Sequence, residues 1–163
     1  MSVNIVIVAP MIPQNTGNVA RLSAANRTVL HLIEPLGFSL SDRYLKRAGL
    51  DYWSEVQLEL HPSWEQFLEK CNPTRDQLWF LTTRGKRSHF EASFAEGDFL
   101  VFGNEVSGLP EPLYASYSDR FLRIPMENPR VRSLNLSSAV AAVFYEAKRQ
   151  VATSKLTQSE SSY

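Results

Sequence analysis

Apolar residues fall along this chain in short unbroken runs, set apart by polar stretches that carry proline and glycine. Residues 3–9, Val-Asn-Ile-Val-Ile-Val-Ala, form a β-branched run that stops at Pro10 and Pro13. A short continuous run of this kind reads as a strand buried on both faces, the pattern of a parallel sheet. Residues 28–33, 77–82 and 98–102 also read as strands, and a further short strand fits 120–124. Helices are predicted between them. Asn15 or Thr16 is placed to cap a helix over 17–26, and Ser41 to cap a short helix through Ala48 with Gly49 as its stop. Ser63-Trp-Glu-Gln66 has the form of a capping box and opens a helix over 64–70. Leu136, Val140, Val143 and Ala147 recur at helical spacing and predict a last helix over 135–150. Ala139 to Phe144 is apolar all round, so burial on more than one side is expected there. The Ser/Thr/Gln-rich stretch 151–163 reads as a flexible tail.

Strands alternating with helices indicate an α/β domain with a mostly parallel sheet flanked by helices. Ligands in such sheets bind beyond the carboxyl ends of the strands. Three loops fall there: 83–89, 103–110 and 125–134. The 163 residues carry no internal repeat and no linker, so 1–150 reads as one domain. Hydrophobic residues at 44% argue for a folded core and against disorder. Seventeen basic residues balance seventeen acidic ones, which excludes a strongly basic polyanion binder but leaves room for a local basic patch. One cysteine, Cys71, rules out an internal disulfide and a Cys-rich zinc site. No apolar run approaches the ~18 residues of a membrane span, and no signal-peptide pattern opens the chain. A cytoplasmic protein with no membrane partner is the expectation.

Neither a Walker A sequence nor Gly-x-Gly-x-x-Gly is present. His31, His61 and His89 lie far apart with no metal-ligand spacing, and His31 reads as a packed core or interface residue. No Ser-His-Asp arrangement follows from spacing. Three segments carry more. In Pro13-Gln-Asn-Thr-Gly-Asn-Val-Ala-Arg21, Asn15 and Arg21 are either a helix cap and a solvated arginine or a pair with chemical work. In Phe102-Gly-Asn-Glu-Val-Ser-Gly-Leu-Pro110, the glycines serve either a tight turn or a close backbone approach to a ligand, with Glu105 between them. After Ile124-Pro-Met126 comes a loop with Arg130 and Arg132, then Ser133-Leu-Asn-Leu-Ser-Ser-Ala-Val140. Ser133, Asn135 and Ser137 there either cap a helix or leave its N–H groups for an anionic ligand.

Taken in order, these three segments resemble the motifs of the SPOUT superfamily of RNA methyltransferases, in its SpoU/TrmH branch. His31 to Phe38, Lys46 to Tyr52 and Leu81 to Gly85 narrow the resemblance to the short, single-domain enzymes that methylate the wobble nucleotide of tRNA. It runs from about residue 4 to 150. It implies an α/β knot fold with a C-terminal trefoil knot, a homodimer, and S-adenosylmethionine as methyl donor with no metal. It implies cofactor contacts at Leu81, Gly103, Ile124 and Ser133. Arg21, Asn15, Glu105, Ser133 and Asn135 match its motif residues around the reacting centre, and Tyr145 matches a tyrosine of the final helix. The implied reaction is 2′-O-methylation of the ribose of the wobble nucleotide, cytidine or modified uridine, in the tRNA anticodon loop. DNA is not an implied partner.

Arg43, Lys46, Arg47, Arg84, Lys86, Arg87, Arg130 and Arg132 are the candidate phosphate contacts. The chain departs from the family pattern at Ala25-Asn26-Arg27-Thr28, where relatives read Ala-Asn-Thr-Gly. Arg27 thereby stands at a helix end where glycine is expected. The alternatives are a catalytically silent RNA-binding knot protein, a 2′-O-methyltransferase acting at another RNA site, and a small-molecule binder with a flavodoxin-like sheet. Retention of Asn15, Arg21, Glu105 and Asn135 argues against the first.

Overall fold

The computed structural model describes residues 3–48 and 50–160. Among these residues there are seven strands: β1 (Asn4–Val8), β2 (Val29–Ile33), β3 (Gln57–His61), β4 (Leu78–Leu81), β5 (Arg87–Ser88), β6 (Phe99–Phe102) and β7 (Phe121–Arg123). The helices are α1 (Pro13–Asn26), α2 (Arg43–Ala48), α3 (Trp64–Cys71), α4 (Glu111–Ser116) and α5 (Leu136–Glu160). The strands form one sheet in the order β3-β2-β1-β6-β4-β7-β5, and every pairing is parallel. The α/β class with helices on both faces is as expected.

Alternation along β1 divides the core. Ile5 and Ile7 pack with Val19 of α1 and Val140, Val143 and Phe144 of α5. Val6 and Val8 pack with Phe67 of α3 and Leu109 and Leu113 on the other face. Each such side chain, fully buried, contributes about 1.5–3 kcal/mol. This two-sided burial is why the central strands read as continuous apolar runs. No helix of the described residues is long and apolar enough to cross a membrane.

The position of β7 is the unusual feature of the topology. It lies between β4 and β5, which precede it and are joined only by residues 82–86. Leu81 and Arg87 both register with Leu122, so this connection crosses over the later strand. The crossing is close: a Cβ on Gly85 would sit 2.7 Å from the Leu122 carbonyl carbon. Thr82 N–H donates to the Leu122 carbonyl at 2.9 Å and ties the loop down. Chain crossings of this sort are rare in proteins, and no local sequence signal marks one.

Several boundaries differ from the sequence expectation. α1 starts at Pro13, not 17, with Ile12 as N-cap and no side-chain cap. Asn15 and Thr16 are therefore buried inside the first turns and cap nothing. Proline at the first helical position loses no bonded N–H, which favours this start. α2 is capped by Asp42, whose Oδ1 accepts from Tyr44 N–H (2.7 Å) and Leu45 N–H (3.4 Å), while Ser41 N–H donates to Ser39 Oγ. The expected stop at Gly49 lies outside the described residues. Ser63 caps α3 as expected, accepting from Gln66 N–H at 3.2 Å. β3, α4 and the two-residue β5 were not expected. α5 runs to Glu160, ten residues past the expected end, through most of the stretch read as a tail; 161–163 lie outside the described residues. It is buried along one broad face only, since Ser138, Ala142, Tyr145 and Arg149 are exposed. Arg27 ends α1 in the left-handed region at φ 51°, ψ 40°, a conformation that favours glycine.

Candidate active site

The loops that leave β4, β6 and β7 at their carboxyl ends enclose a pocket of about 720 Å³. Leu81, Gly103 and Ile124 line it at the ends of these three strands. Ser133 and Asn135 close it from the segment entering α5, and Asn15 and Glu105 form its rim toward α1. Seven of the eight site residues expected from sequence thus converge. Arg21 does not line the pocket. It sits on an exposed part of α1 with its guanidinium over the Tyr52 ring, 5.0 Å from the centroid. Six residues of helix set Arg21 about 120° around the axis from Asn15.

Glu105 supplies what α1 lacks at its start. Its Oε2 accepts from Met11 N–H at 2.9 Å and its Oε1 from Ile12 N–H at 3.2 Å. A carboxylate meeting free N–H groups at a helix N-terminus is favoured by the helix dipole. Asn15 Nδ2 also donates to Glu105 Oε1 (3.4 Å), and Asn15 Oδ1 accepts from Asn135 Nδ2 (2.9 Å). Asn135 in turn caps α5, its Oδ1 accepting from Ser137 N–H at 3.0 Å. One chain of hydrogen bonds therefore locks the first turn of α1, the 103–110 loop and the start of α5 into a single rim.

The 103–110 loop is shaped by its own closure. Asn104 Oδ1 accepts from the N–H groups of Val106 (2.9 Å) and Ser107 (2.7 Å). A Cβ on Gly103 would fall 2.1 Å from the Gly108 carbonyl carbon, so only glycine fits. Gly108 has φ 72°. The glycines thus serve chain self-approach first and the pocket second. Tyr114 supports the loop from α4, its hydroxyl accepting from Leu109 N–H (3.3 Å) and lying 3.2 Å from Thr82 Oγ1. Arg84 stacks over the Tyr114 ring at 3.9 Å and pairs with Glu111 at 3.0 Å, a hydrogen bond that holds its guanidinium more firmly charged. Thr82 and Tyr114 also line the pocket and were not among the expected site residues, and Leu136, expected only on the packed face of the last helix, lines it too. Tyr114 sits on a six-residue helix that gave no periodic signal.

A sequence model described as the SpoU rRNA Methylase family matches residues 2–145. The chain belongs to this family. Among relatives of this SpoU-family chain, the tRNA (cytidine(34)-2′-O)-methyltransferase of Saccharophagus degradans is 49% identical over 150 residues, covering 91% of this chain and 95% of the relative. The enzyme of the same name from an Acidovorax species is 47% identical over 148 residues, covering 90% and 91%. A solved structure described as "Structural insights into the 2-OH methylation of C/U34 on tRNA" superposes with a TM-score of 0.83 at 50% identity, covering 91% and 95%. The SpoU methyltransferase AviRb of Streptomyces viridochromogenes, solved in complex with AdoMet, shares the fold with a TM-score of 0.78 at 24% identity, covering 91% and 60%.

In this SpoU-family fold the basic residues named from sequence divide. Arg84 and Arg132 line the pocket, whereas Arg87 lies over the Trp79 ring at 5.3 Å. Tyr145 is exposed on α5, and its hydroxyl accepts from Asn26 Nδ2 at 3.3 Å.

Proposed function

We propose that this protein transfers the methyl group of S-adenosylmethionine to the ribose 2′-hydroxyl of the wobble nucleotide, position 34, in the tRNA anticodon loop. The observation that carries this reading is the joining of Asn15, Glu105 and Asn135 at the rim of a cofactor-sized pocket. The chain that builds this rim is 49% identical, over nine-tenths of its length, to a cytidine-34 methyltransferase.

The pocket suits the cofactor. Its volume lies within the roughly 300–1,000 Å³ of small-molecule sites. Leu81, Ile124, Leu136 and Ala139 offer apolar walls for adenine, while the loops around Gly103 and Ser133 bring backbone donors and acceptors. When bound, the cofactor supplies a methyl group on a sulfonium, an electrophile that needs no metal. The residues of this chain hold the ribose hydroxyl against it. Arg21 is the phosphate-positioning residue, gripping the substrate through its planar guanidinium. A guanidinium has donors and no acceptor, so the hydroxyl proton leaves to phosphate or water.

The orientation of Arg21, away from the pocket of its own chain, supports a homodimer in which it serves the partner's pocket. The crossing of 82–86 over β7 supports the trefoil knot, with 124–135 as the threaded segment. A cytoplasmic enzyme with tRNA as its partner follows from this reading.

Labelled S-adenosylmethionine and purified tRNA test it. Label is expected on the 2′-oxygen of nucleotide 34, and tRNA carrying a 2′-deoxynucleotide there is expected to accept none. Equal transfer to the deoxy-substituted tRNA overturns the reading.

A further inference from the structure

Away from the pocket, four side chains that the methyl transfer does not use converge on one point. His31 lies in the middle of β2, Glu59 and His61 lie on β3, and Cys71 ends α3. The sheet register brings them together. His31 pairs with Glu59 across the parallel strands, and His61, two residues further on, points to the same face. His31 Nδ1 stands 3.0 Å from His61 Nε2. Glu59 Oε2 is 3.7 Å from His31 Nδ1 and 3.8 Å from His61 Nε2. Cys71 Sγ is 4.0 Å from His31 Nδ1, and all four ligand atoms lie within 4.8 Å of one another.

We propose that His31, Glu59, His61 and Cys71 form a tetrahedral site for a zinc-type divalent cation that fastens the β2–β3 edge of the sheet to α3. Bond lengths of about 2.0–2.3 Å place the ligand atoms of such a site about 3.3–3.7 Å apart, and the distances above bracket that range. Hydrogen bonding accounts for only part of the cluster: the two imidazoles are within its reach of each other at 3.0 Å. The carboxylate oxygen lies beyond hydrogen-bond reach of both imidazoles, and the thiol is at the outer limit for sulfur. Two nitrogens, one sulfur and one oxygen form a zinc-like donor set, softer than calcium or magnesium sites use.

The surroundings agree. His31 and His61 are buried, and the Phe67 and Phe99 rings flank His31 at 5.5 and 5.7 Å. Each imidazole presents one ring nitrogen to the cluster, His31 Nδ1 and His61 Nε2. Cation binding releases one proton as the Cys71 thiolate forms. One thiolate and one carboxylate neutralise the dication. Access is from a surface cleft of about 340 Å³ lined by His61, Gln66 and Lys70 among others. Lys70 Nζ, 3.1 Å from Glu59 Oε2 and largely exposed, is the cation that the metal displaces.

Cobalt(II) and zinc(II) alone are the probes, added to the chelator-treated full chain. Because Cys71 is the one cysteine, a thiolate-to-cobalt charge-transfer band reports on this site and no other. The expected result is one cobalt per chain with that band and the strong visible bands of a tetrahedral ion. Zinc is expected to raise the melting temperature by several degrees, reversibly with chelator. Cys71→Ser is expected to lose the band and the zinc-dependent shift while keeping the apo far-ultraviolet spectrum. Should that variant fail to fold, Glu59→Gln is expected to weaken zinc binding at least tenfold, and Lys70→Met to tighten it severalfold. A wild-type chain with no charge-transfer band, or zinc binding unaltered by Glu59→Gln, overturns the proposal.

Discussion

Asn135 donates its side-chain amide to Oδ1 of Asn15 at 2.9 Å, a bond between positions 120 residues apart. The same Asn15 amide donates in the other direction to Glu105 at 3.4 Å. An amide held at both its oxygen and its nitrogen has one orientation, and the three segments that meet there share it. Asn15→Ala and Asn135→Ala are each expected to lower kcat/KM at least tenfold. Their effects should not add: a double-mutant cycle on kcat/KM should return a coupling of about 0.5–3 kcal/mol. Additive losses would mean that the two residues act separately.

Gly103 leaves no room for a side chain, since its Cβ would meet the Gly108 carbonyl carbon at 2.1 Å and Leu109 N at 2.3 Å. Both are backbone atoms and cannot rotate away. Gly103→Ala is expected to destabilise the fold by at least about 1–3 kcal/mol in urea unfolding, and to abolish S-adenosylmethionine binding in calorimetry. Unchanged cofactor affinity would show that the 103–110 loop does not shape that site.

Arg21 faces away from the pocket of its own chain. Arg21→Ala is expected to abolish methyl transfer while leaving S-adenosylmethionine affinity and melting temperature nearly unchanged. Arg21→Lys should also fail badly, because a point charge does not replace the planar fork. Mixing Arg21→Ala chains with chains whose pocket is disabled should restore about a quarter of wild-type activity, from the one complete site in each mixed dimer. A mixture that stays inactive after subunit exchange would exclude service in trans.

Glu146 is bonded within α5 and holds the residue that ties this helix to Phe94. It accepts from Arg149 at 2.9 and 3.0 Å and from Gln150 at 2.8 Å, while Gln150 Oε1 accepts from Phe94 N–H at 2.8 Å. The Arg149 hydrogen bonds chiefly hold its carboxyl down from 4.5 to about 2. A carboxyl depressed by folding adds stability that is complete above its unfolded value and is lost as pH falls through the folded one. The stability gap between wild type and Glu146→Gln is therefore expected at about pH 6 and to close between about pH 4.5 and 2. Denaturant midpoints across that range measure it, and a gap that persists at the acid end would contradict the assignment.

The sequence by itself determined the layers. The runs at β1, β2, β4 and β6 are apolar because both faces of those strands are covered, and burial of that kind is written locally. The inward face of α5 was legible for the same reason: Val140, Val143 and Ala147 repeat at the period of one turn. The motif segments around Asn15, Gly103 and Asn135 were legible as a set, through their order along the chain and their resemblance to the SpoU/TrmH branch.

Tertiary structure decided the rest, wherever the partner of a group is remote in sequence. α1 begins four residues before its expected start, with Pro13 at its first position, and the N–H groups just before it are held by Glu105, more than ninety residues away. β3 has no continuous apolar run because an edge strand is half solvated, and Gln57-Leu-Glu-Leu-His61 carries polar side chains where a central strand would not. The crossing of 82–86 over β7 depends on a strand inserted after the loop around it, which no local pattern records. His31 and His61 have no motif spacing, yet parallel register sets them 3.0 Å apart. Periodicity reports which face of an element is buried. Which elements then meet, and in what register, is fixed only when the sheet closes and long-range contacts repay the entropy of bringing distant segments together.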